Sequence, residues 1–579
     1  MKIIGLTSEL DAVHDNSVVL IEDDKILFAE AEERLSRKKH DGSFPALALK
    51  EALKSTNNKL SDIDYFVSGV PSYTSFRTIL SYLPYIKATG TRNFIKAVYQ
   101  RVGKARRENN SNEREKNLFD FGISKEKFFR VSHYLAHAAT AYFSSPFKEC
   151  LVVVMDGYGC DSDGKPLSGK IYKGSKGQLI PLEDIPVHGS LGLYYGAVTM
   201  ALGFKLNDGE GKTMGLAAYG DPKKCYRKMK NIFPRFIDGK WVVKDTVLDI
   251  LSISWPNIYS ETKLAKTLKG LVEEYGRENV AAAAQEVFEE EMESYFRYLV
   301  KKYKIRVMAT AGGIFLNIKN NMRLLNKRII DDVFVYPNPS DGGAAAGAAM
   351  MGFLLKKGFY PQKEMLQSVF GRSYADSEIE KELKKTDGIT YVKLSNDLPK
   401  KVAKILADGK VLGWFQGKGE WGPRALGHRS VIADPRSVAT KDRINNILKG
   451  REWFMPFAPS MMEERAKDYL VNLRKGPFMI IGDEVKKNKR KDLGAVMHID
   501  GTVRPHLVSK EIEPLYYEVI AEFEKLTGVG AILNTSFNKH GLPIVFTPKD
   551  AIDHLLWSAI DELVIGSYYV KRTDSKSSR

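Results

Sequence analysis

A chain of 579 residues is too long for one hydrophobic core, so at least two domains are expected. With 43% apolar and 27% charged residues it has the make-up of a soluble globular protein, and its basic excess, 88 Lys+Arg against 71 Asp+Glu, points to anionic partners such as a phosphate-rich substrate, a nucleic acid or a membrane surface. Cys150, Cys160 and Cys225 have no CxxC spacing, which argues against a disulfide framework or a zinc ribbon, and "MKIIGLTSELDAV" reaches acidic residues too soon for a signal peptide, so a reducing, cytoplasmic location is expected.

The first predicted elements are strands, "KIIGLTS" and "SVVLIED", and Asp23–Lys25 turns the chain into "ILFAEAEERLS". After Phe44–Pro45 comes a helical stretch, "ALALKEALKST", then a further strand, "DIDYFVSGV". Paired strands, a hairpin, a crossover helix and another strand open the ATPases of the actin, sugar-kinase and heat-shock-chaperone type, a likeness of fold that carries no function by itself. Arg77–Lys116 reads as an insertion rich in aromatic and basic residues, and "HYLAHAATAYFSSPF" (His133–Phe147) as helical. The pattern restarts near Leu151: "LVVVMDGYG" is a buried strand, "SGKIYKGSKGQLIPLEDIP" a hairpin and "LGLYYGAVTMALGF" a helix. Two such openings predict duplicated halves of one nucleotide-binding domain.

Val280–Lys304 is a long amphipathic helix region, and "VMATAGGIFLN" reads as strand, glycine turn and helix start. "DDVFVYPNPSDGGAAAGAAMMGFLL" is a strand, a loop and a small-residue helix too short and too rich in Gly and Ala to span a bilayer. "KKGFYPQ" is a linker. Beyond it come a helix over Leu398–Leu406, the strand "KVLGWFQG", a Gly/Arg-rich loop, two late strand segments, "GVGAILNTSFN" and "DELVIGSYYVK", and the polar tail "KRTDSKSSR". Basic clusters at Lys104–Lys116, Lys301–Arg306 and Lys486–Asp492 read as solvated faces, since most mix in polar or acidic residues.

Three constellations carry chemistry. His133 and His137 stand four apart, so on a helix both imidazoles can reach one ion, while the missing Glu of H-E-x-x-H argues against a metalloprotease. Asp156, ending a strand, and Asp341, in "PSDGG", add carboxylates where α/β folds gather ligands. Two His and two Asp suit a borderline divalent ion such as iron, manganese or zinc; the alternative is an ordinary helix with aspartates as caps. Second, the glycine turns "AGGIFLN" (Ala311–Asn317, with Gly312 and Gly313) and "SDGGAAAG" (Ser340–Gly347) expose N–H groups that favour phosphate. "LNDGEGKTMGLAAYG" sets Glu210 and Lys212 among glycines in the same sense. Third, Trp414–Arg436 gathers Lys418, Arg424, Arg429 and Arg436, an anion site unless the arginines pair with Glu420 and Asp434. Arg451, His498 and Arg504 follow in "KGREWFMPFAPS" and "HIDGTVRPH", and "LNTSFNKHGLPIV" adds Asn534, Thr535, Ser536 and Asn538.

With those residues assembled, the sequence resembles the NodU/CmcH family of ATP-dependent O-carbamoyltransferases nearly end to end. His14-Asp15, "EERLSRKKHDGSFP" (Glu32–Pro45), the H-x-x-x-H-A-A segment, the D-G-x-G strand end, "EGKTMGLAAYG", "AGGIFLN", "GPRALGHRS", "REWFMPFAPS", "HIDGTVRPH" and "LNTSFN" match in order. The one departure, Trp421 with Lys418 in "GKGEWGPRALGHRS", is mild.

The resemblance implies an α/β protein with a duplicated actin-like domain over residues 1–360, similar to the metal-binding protein that transfers threonylcarbamoyl to tRNA. A YrdC-like domain over 361–570 and a tail over 571–579 follow. It implies that carbamoyl phosphate and ATP, with Mg2+, give carbamoyl-adenylate in the second domain, and that the first passes the carbamoyl group to a hydroxyl. It carries over metal ligands onto His133, His137, Asp156 and Asp341, for iron before manganese or zinc. The carbamoyl-phosphate and ATP site falls on Lys418, Arg424, Arg429, Ser430, Arg451, Arg504, Asn534 and Ser536. Glu210, Lys212, Gly312, Gly313 and Asn317 fall at the first domain's nucleotide site. A base must take the acceptor's proton, and His14, with Asp15 or Lys39, is the candidate. Family acceptors are aminoglycosides, cephems, macrocycles and lipo-oligosaccharides, with Arg77–Lys116 expected in the acceptor pocket. No nucleic acid and no membrane are expected as partners, and a homodimer is admitted. The rival readings are an actin-fold sugar kinase, which needs no arginine-rich second domain, and an RNA-binding partner in tRNA modification.

Overall fold

Two five-stranded sheets share one strand order. In the first, β1 (Lys2–Leu6) pairs antiparallel with β2 (Ser17–Glu22), beyond which lies β3 (Lys25–Ala31); β4 (Tyr65–Ser68) and β5 (Phe128–Arg130) continue in parallel on the opposite edge. In the second, β6 (Glu149–Cys160) takes the place of β1, the hairpin β7 (Pro166–Ser175) and β8 (Gln178–Pro186) that of β2 and β3. After a short hairpin of β9 (Arg235–Ile237) and β10 (Lys240–Val242), β11 (Val307–Ala311) and β12 (Asp332–Val335) supply the parallel pair. The orders β3-β2-β1-β4-β5 and β8-β7-β6-β11-β12 are the duplicated halves expected. Apolar runs explain the strands: Val18–Ile21 and Leu151–Val154 are fully buried, as in sheets covered on both faces.

This computed structural model describes residues 1–7, 14–69, 116–161, 165–243, 249–250, 252–253, 256–394 and 397–573. The expected insertion lies outside them apart from Lys116, as does the tail beyond Thr573.

The small-residue helix Ala344–Lys357 exists for close packing. A Cβ on Gly5 of β1 would stand 1.9 Å from the Ala345 carbonyl oxygen, and one on Gly347 would stand 1.8 Å from that of Ala136, in the helix His133–Phe143. Glycine at these points lets strand and helices approach to backbone contact. Asp341, in the turn entering the small-residue helix, is thereby carried to the histidine helix.

By its contacts the chain forms two units: Met1–Leu27 with Gly42–Met365, and Phe28–Asp41 with Leu366–Arg579. The division near Met365 lies a few residues past the boundary expected at 360, and the excursion Phe28–Asp41 has no counterpart in the sequence reading.

The second unit is built on an eight-stranded sheet, with β13 (Ile389–Lys393), β14 (Leu412–Phe415), β15 (Arg429–Ala433) and β16 (Ala458–Met462) joined by later strands. β17 (Asp483–Glu484) and β18 (Thr502–Val503) pair separately. Then come β19 (His506–Val508), β20 (Ala531–Ser536), β21 (Glu562–Ile565) and β22 (Tyr568–Arg572), giving the order β13-β22-β21-β14-β15-β20-β16-β19. "DELVIGSYYVK" is thus a hairpin, because Gly566 takes φ +52° and folds the chain back. The register sets Ser430 opposite Ser536, Ile432 and Ala458 opposite Asn534, and Ser460 opposite His506.

Candidate functional site

In the first unit the side chains of His133, His137, Asp156 and Asp341 each bring one ligand atom within 4.8 Å of the others. The helix places the two imidazoles on one face, ring centroids 4.6 Å apart, and both are buried. His137 Nε2 lies 3.5 Å from Asp341 Oδ1 and 3.7 Å from Asp156 Oδ2, and His133 Nε2 lies 3.7 Å from Asp341 Oδ1. Donors ~2.1 Å from one ion stand about 3.0 Å apart in an octahedron and about 3.4 Å in a tetrahedron, so these spans suit a shared cation. Among the described residues, His133 Nε2, both nitrogens of His137 and Asp156 Oδ2 have no hydrogen-bond partner. Buried polar atoms are seldom left so, and a metal would satisfy three of them. The residues therefore fit the ion.

Burial and the neighbouring His137 push His133 down to about 4. Burial and the charge of Asp341 push Asp156 up to about 7, whereas Asp341, which burial would raise, is held below the carboxylate range by His137, His133 and His14. Neither aspartate caps a helix: Asp156 lies inside β6, its Oδ1 accepting from the Gly157 N–H at 2.7 Å while its other oxygen stays unsatisfied, and Ser340 holds the cap position of the turn of Asp341.

His14 Nδ1 lies 2.7 Å from Asp15 Oδ2, and Asp15 holds a left-handed φ of +71°. Ser17 Oγ donates to the Gly342 carbonyl at 2.6 Å, tying the end of this loop to the turn of Asp341. Lys39 belongs to the segment counted with the second unit. The glycine turn lies beside Asp156: a Cβ on Gly313 would stand 3.2 Å from its Oδ1, and one on Gly312, at φ +104°, only 1.9 Å from the Met155 carbonyl oxygen. Asn317 caps the next helix through Asn320 N and donates to Gln285, which also holds Tyr195 and Glu289. Glu210 accepts from Asn207 N, and Lys212 lies over the Phe204 ring. Gln285 and Tyr195 escaped the sequence reading because a helix-interior Gln and Tyr carry no local signal.

In the second unit Arg424 and Arg451 lie near enough to Arg504 for their charges to act on it. Burial alone lowers Arg424 to about 10 and Arg451 to about 9, and Arg504 is held well below its ordinary value by burial and the positive charges of the other two. Arg424 Nε and Arg504 Nε have no hydrogen-bond partner among the described residues, and Arg451 donates to Asn445 Oδ1 and the Pro456 carbonyl and lies 4.4 Å over the Phe457 ring. Among the described residues no carboxylate forms an ion pair with these three guanidiniums, and unneutralised guanidiniums favour anions. Glu420 does not pair with them. Its Oε1 accepts from the N–H groups of Leu426, His428 and Arg429, which folds the loop around Arg424. Arg436 does pair with Asp434.

Arg429, expected in the same site, is held by main chain. Its guanidinium lies 3.7 Å over the Phe415 ring, and its two terminal nitrogens donate to the carbonyls of Gln416, His428, Arg372 and Gly417, which braces the loop. Ser430 Oγ likewise accepts from Gly427 N, and Ser536 donates to Asn538. Lys418 is exposed. Asn534 donates to the Ala425 carbonyl and to Ser460 Oγ, and its Oδ1 is buried without a partner.

Ser460, His506 and Tyr516 escaped the sequence reading. Tyr516 OH and Asn534 Nδ2 both donate to Ser460 Oγ, so its one proton goes to His506 Nδ1, 3.0 Å away. That fixes His506 as the neutral Nε2–H tautomer, and burial and His428 push it down to about 3. The described basic clusters are solvated ion pairs: Lys302 with Glu183, Arg306 with Asp331 and Lys489 with Asp492. Among the described residues no helix is long and apolar enough to cross a membrane.

Two family models match the chain, one described as carbamoyltransferase N-terminus over residues 2–350 and one as carbamoyltransferase C-terminus over residues 403–572. The chain is 33% identical to an uncharacterised protein of Methanocaldococcus jannaschii, covering 99% of this chain and 100% of that protein. It is 34% identical to nodulation protein NolNO of Sinorhizobium fredii, over 99% of this chain and 83% of the relative. Nodulation protein NolO of Bradyrhizobium diazoefficiens is 36% identical over 76% of this chain and 79% of its own. Among solved structures, T. kodakarensis HypF matches 62% of this chain and 48% of its own at 11% identity, a remote likeness with a TM-score of 0.33.

Proposed function

This chain belongs to the carbamoyltransferase family and is an enzyme of carbamoyl transfer, and we propose that it works in two steps, forming carbamoyl-adenylate in the second unit and passing the carbamoyl group to a hydroxyl in the first. The observation that carries this reading is the group Arg424, Arg451 and Arg504, with which no carboxylate among the described residues forms an ion pair.

A carbamoyl group is a poor electrophile because nitrogen lone-pair donation stabilises it, and attachment to AMP supplies a good leaving group. Carbamoyl phosphate and ATP are both anions, and the three guanidiniums screen their repulsion. One water is consumed, and phosphate, pyrophosphate and carbamoyl-adenylate leave. Lys418 serves the phosphates, Mg2+ accompanies ATP, and the unpartnered Asn534 Oδ1 accepts from the carbamoyl NH2. Arg429, Ser430 and Ser536 hold the loop and strand ends in place.

In the first unit, His133, His137, Asp156 and Asp341 would hold a divalent metal, which when bound supplies Lewis-acid polarisation of a phosphate or carbamoyl oxygen. The hydrogen bond between Nδ1 and Asp15 sets His14 in the tautomer whose Nε2 takes the acceptor's proton. Gly312, Gly313, Glu210, Lys212 and Asn317 belong to the nucleotide's side of this site, and the acceptor is a sugar or polyketide hydroxyl. With ATP, carbamoyl phosphate and acceptor, the expected products are AMP, pyrophosphate and phosphate. ADP as the sole nucleotide product overturns the adenylate route and revives a kinase.

A further inference from the structure

Apart from Lys39, the motif "EERLSRKKHDGSFP" has no role in either site as described, yet most of it is bound into the second unit. Ala29 N donates to the Phe370 carbonyl at 3.2 Å. Arg34, 5% exposed, donates through NH2 to the Gly422 carbonyl at 2.8 Å. Arg37 donates to the carbonyls of Ile544 and Pro543 at 2.7 and 3.0 Å, with Asp550 Oδ1 at 3.5 Å.

Gly422 stands two residues before Arg424, at φ +110°. The buried Glu30 presses on the same loop: a Cβ on Gly371 would meet its Oε2 at 2.5 Å, and one on Gly419 at 3.2 Å. Gly371 N donates to the Gly419 carbonyl at 3.0 Å, and Trp421 N to the Ser368 carbonyl at 2.7 Å. The stretch Gly419–Gly422 is therefore held both by Ser368–Gly371 and by Glu30–Arg34. A glycine-rich loop has little conformational preference of its own, and the like charges of Arg424 and Arg451 act against that of Arg504. A charge-assisted bond to the loop's own carbonyl, from Arg34 to Gly422, fixes its backbone against that repulsion.

We propose that Arg34 is a positioning residue for this arginine loop, its bond to the Gly422 carbonyl setting Arg424 at the anion site, so that Phe28–Asp41 is a working part of the carbamoyl-phosphate-binding unit. The proposal rests on the reading of Arg424, Arg451 and Arg504 as that site.

The test is calorimetric titration of the full chain with carbamoyl phosphate, alongside thermal melts and metal content. Arg34→Met keeps the aliphatic stem and loses the bond, and affinity falls about tenfold or more. Arg34→Lys, whose ammonium can donate one bond to the same carbonyl, recovers part of it. Arg37→Met breaks the neighbouring tether, lowers Tm comparably and leaves affinity within about twofold. Metal content stays that of the wild type in all three. Wild-type affinity in Arg34→Met overturns the proposal, as does an equal loss in Arg37→Met, which reduces the effect to general loosening. Should Arg34→Met not fold, Arg34→Lys against Arg37→Met makes the same comparison, the lysine variant being the weaker binder. Unchanged binding in Arg424→Ala instead overturns the anion-site reading.

Discussion

Nε2 of His137 stands 3.5 Å from Oδ1 of Asp341, long for a hydrogen bond and close to the span between two ligands of one ion. His137→Ala is therefore expected to lose bound metal and acceptor transfer while still forming adenylate. Metal analysis with separate assays of the two half-reactions decides it. Loss of both half-reactions with the fold intact contradicts the two-site division.

Arg424→Ala should do the reverse. Removing one of three unpaired guanidiniums relieves repulsion in the empty site, so thermal stability holds or rises, while carbamoyl-phosphate-dependent pyrophosphate release falls by about two orders of magnitude or more. Metal content should match the wild type. Undiminished pyrophosphate release speaks against the site.

His506 is expected to mark the acid limb of stability. Folded, it stays neutral down to about pH 3, whereas unfolded it protonates near its ordinary value of 6.5. Its contribution is present in full above pH 6.5 and is lost as pH falls toward 3, at up to about 1.4 kcal/mol per pH unit. Urea denaturation from pH 7 to 4 should show a shallower decline in His506→Gln than in the wild type. Parallel curves refute the buried, neutral assignment.

Gly347→Ala tests how the histidine helix is placed. The added Cβ would sit 1.8 Å from the Ala136 carbonyl oxygen, between His133 and His137 in sequence, so the two helices must move apart. A loss of about 1–3 kcal/mol is expected from overpacking, together with weaker metal retention on dialysis against a chelator. A variant that melts and retains metal like the wild type shows that the packing there can yield.

Much of this protein is written locally. Apolar runs bounded by turn residues located β1, β2, β6 and the hairpin β7–β8, and their repetition foretold two halves with one strand order. The i, i+4 spacing of His133 and His137 put both imidazoles on one face before any fold was known, and the composition of Trp414–Arg436 showed a loop rich in glycine and arginine. Those features depend on neighbours in sequence, where period and residue type are sufficient. The rest depends on contacts across the chain. Arg34 meets Gly422 388 positions away, and Arg37 meets Ile544 507 positions away, so no local pattern shows that Phe28–Asp41 belongs to the second unit. Arg424 and Arg429 look alike in the sequence, yet one lacks an acidic partner and the other is consumed by main-chain carbonyls. Ser460 became a hub because β16 lies between β19 and β20, which brings His506 and Asn534 to one hydroxyl. Residue type determined which groups were available, and tertiary packing decided which kept a vacant valence, because a buried donor is used up by whatever acceptor the fold sets beside it.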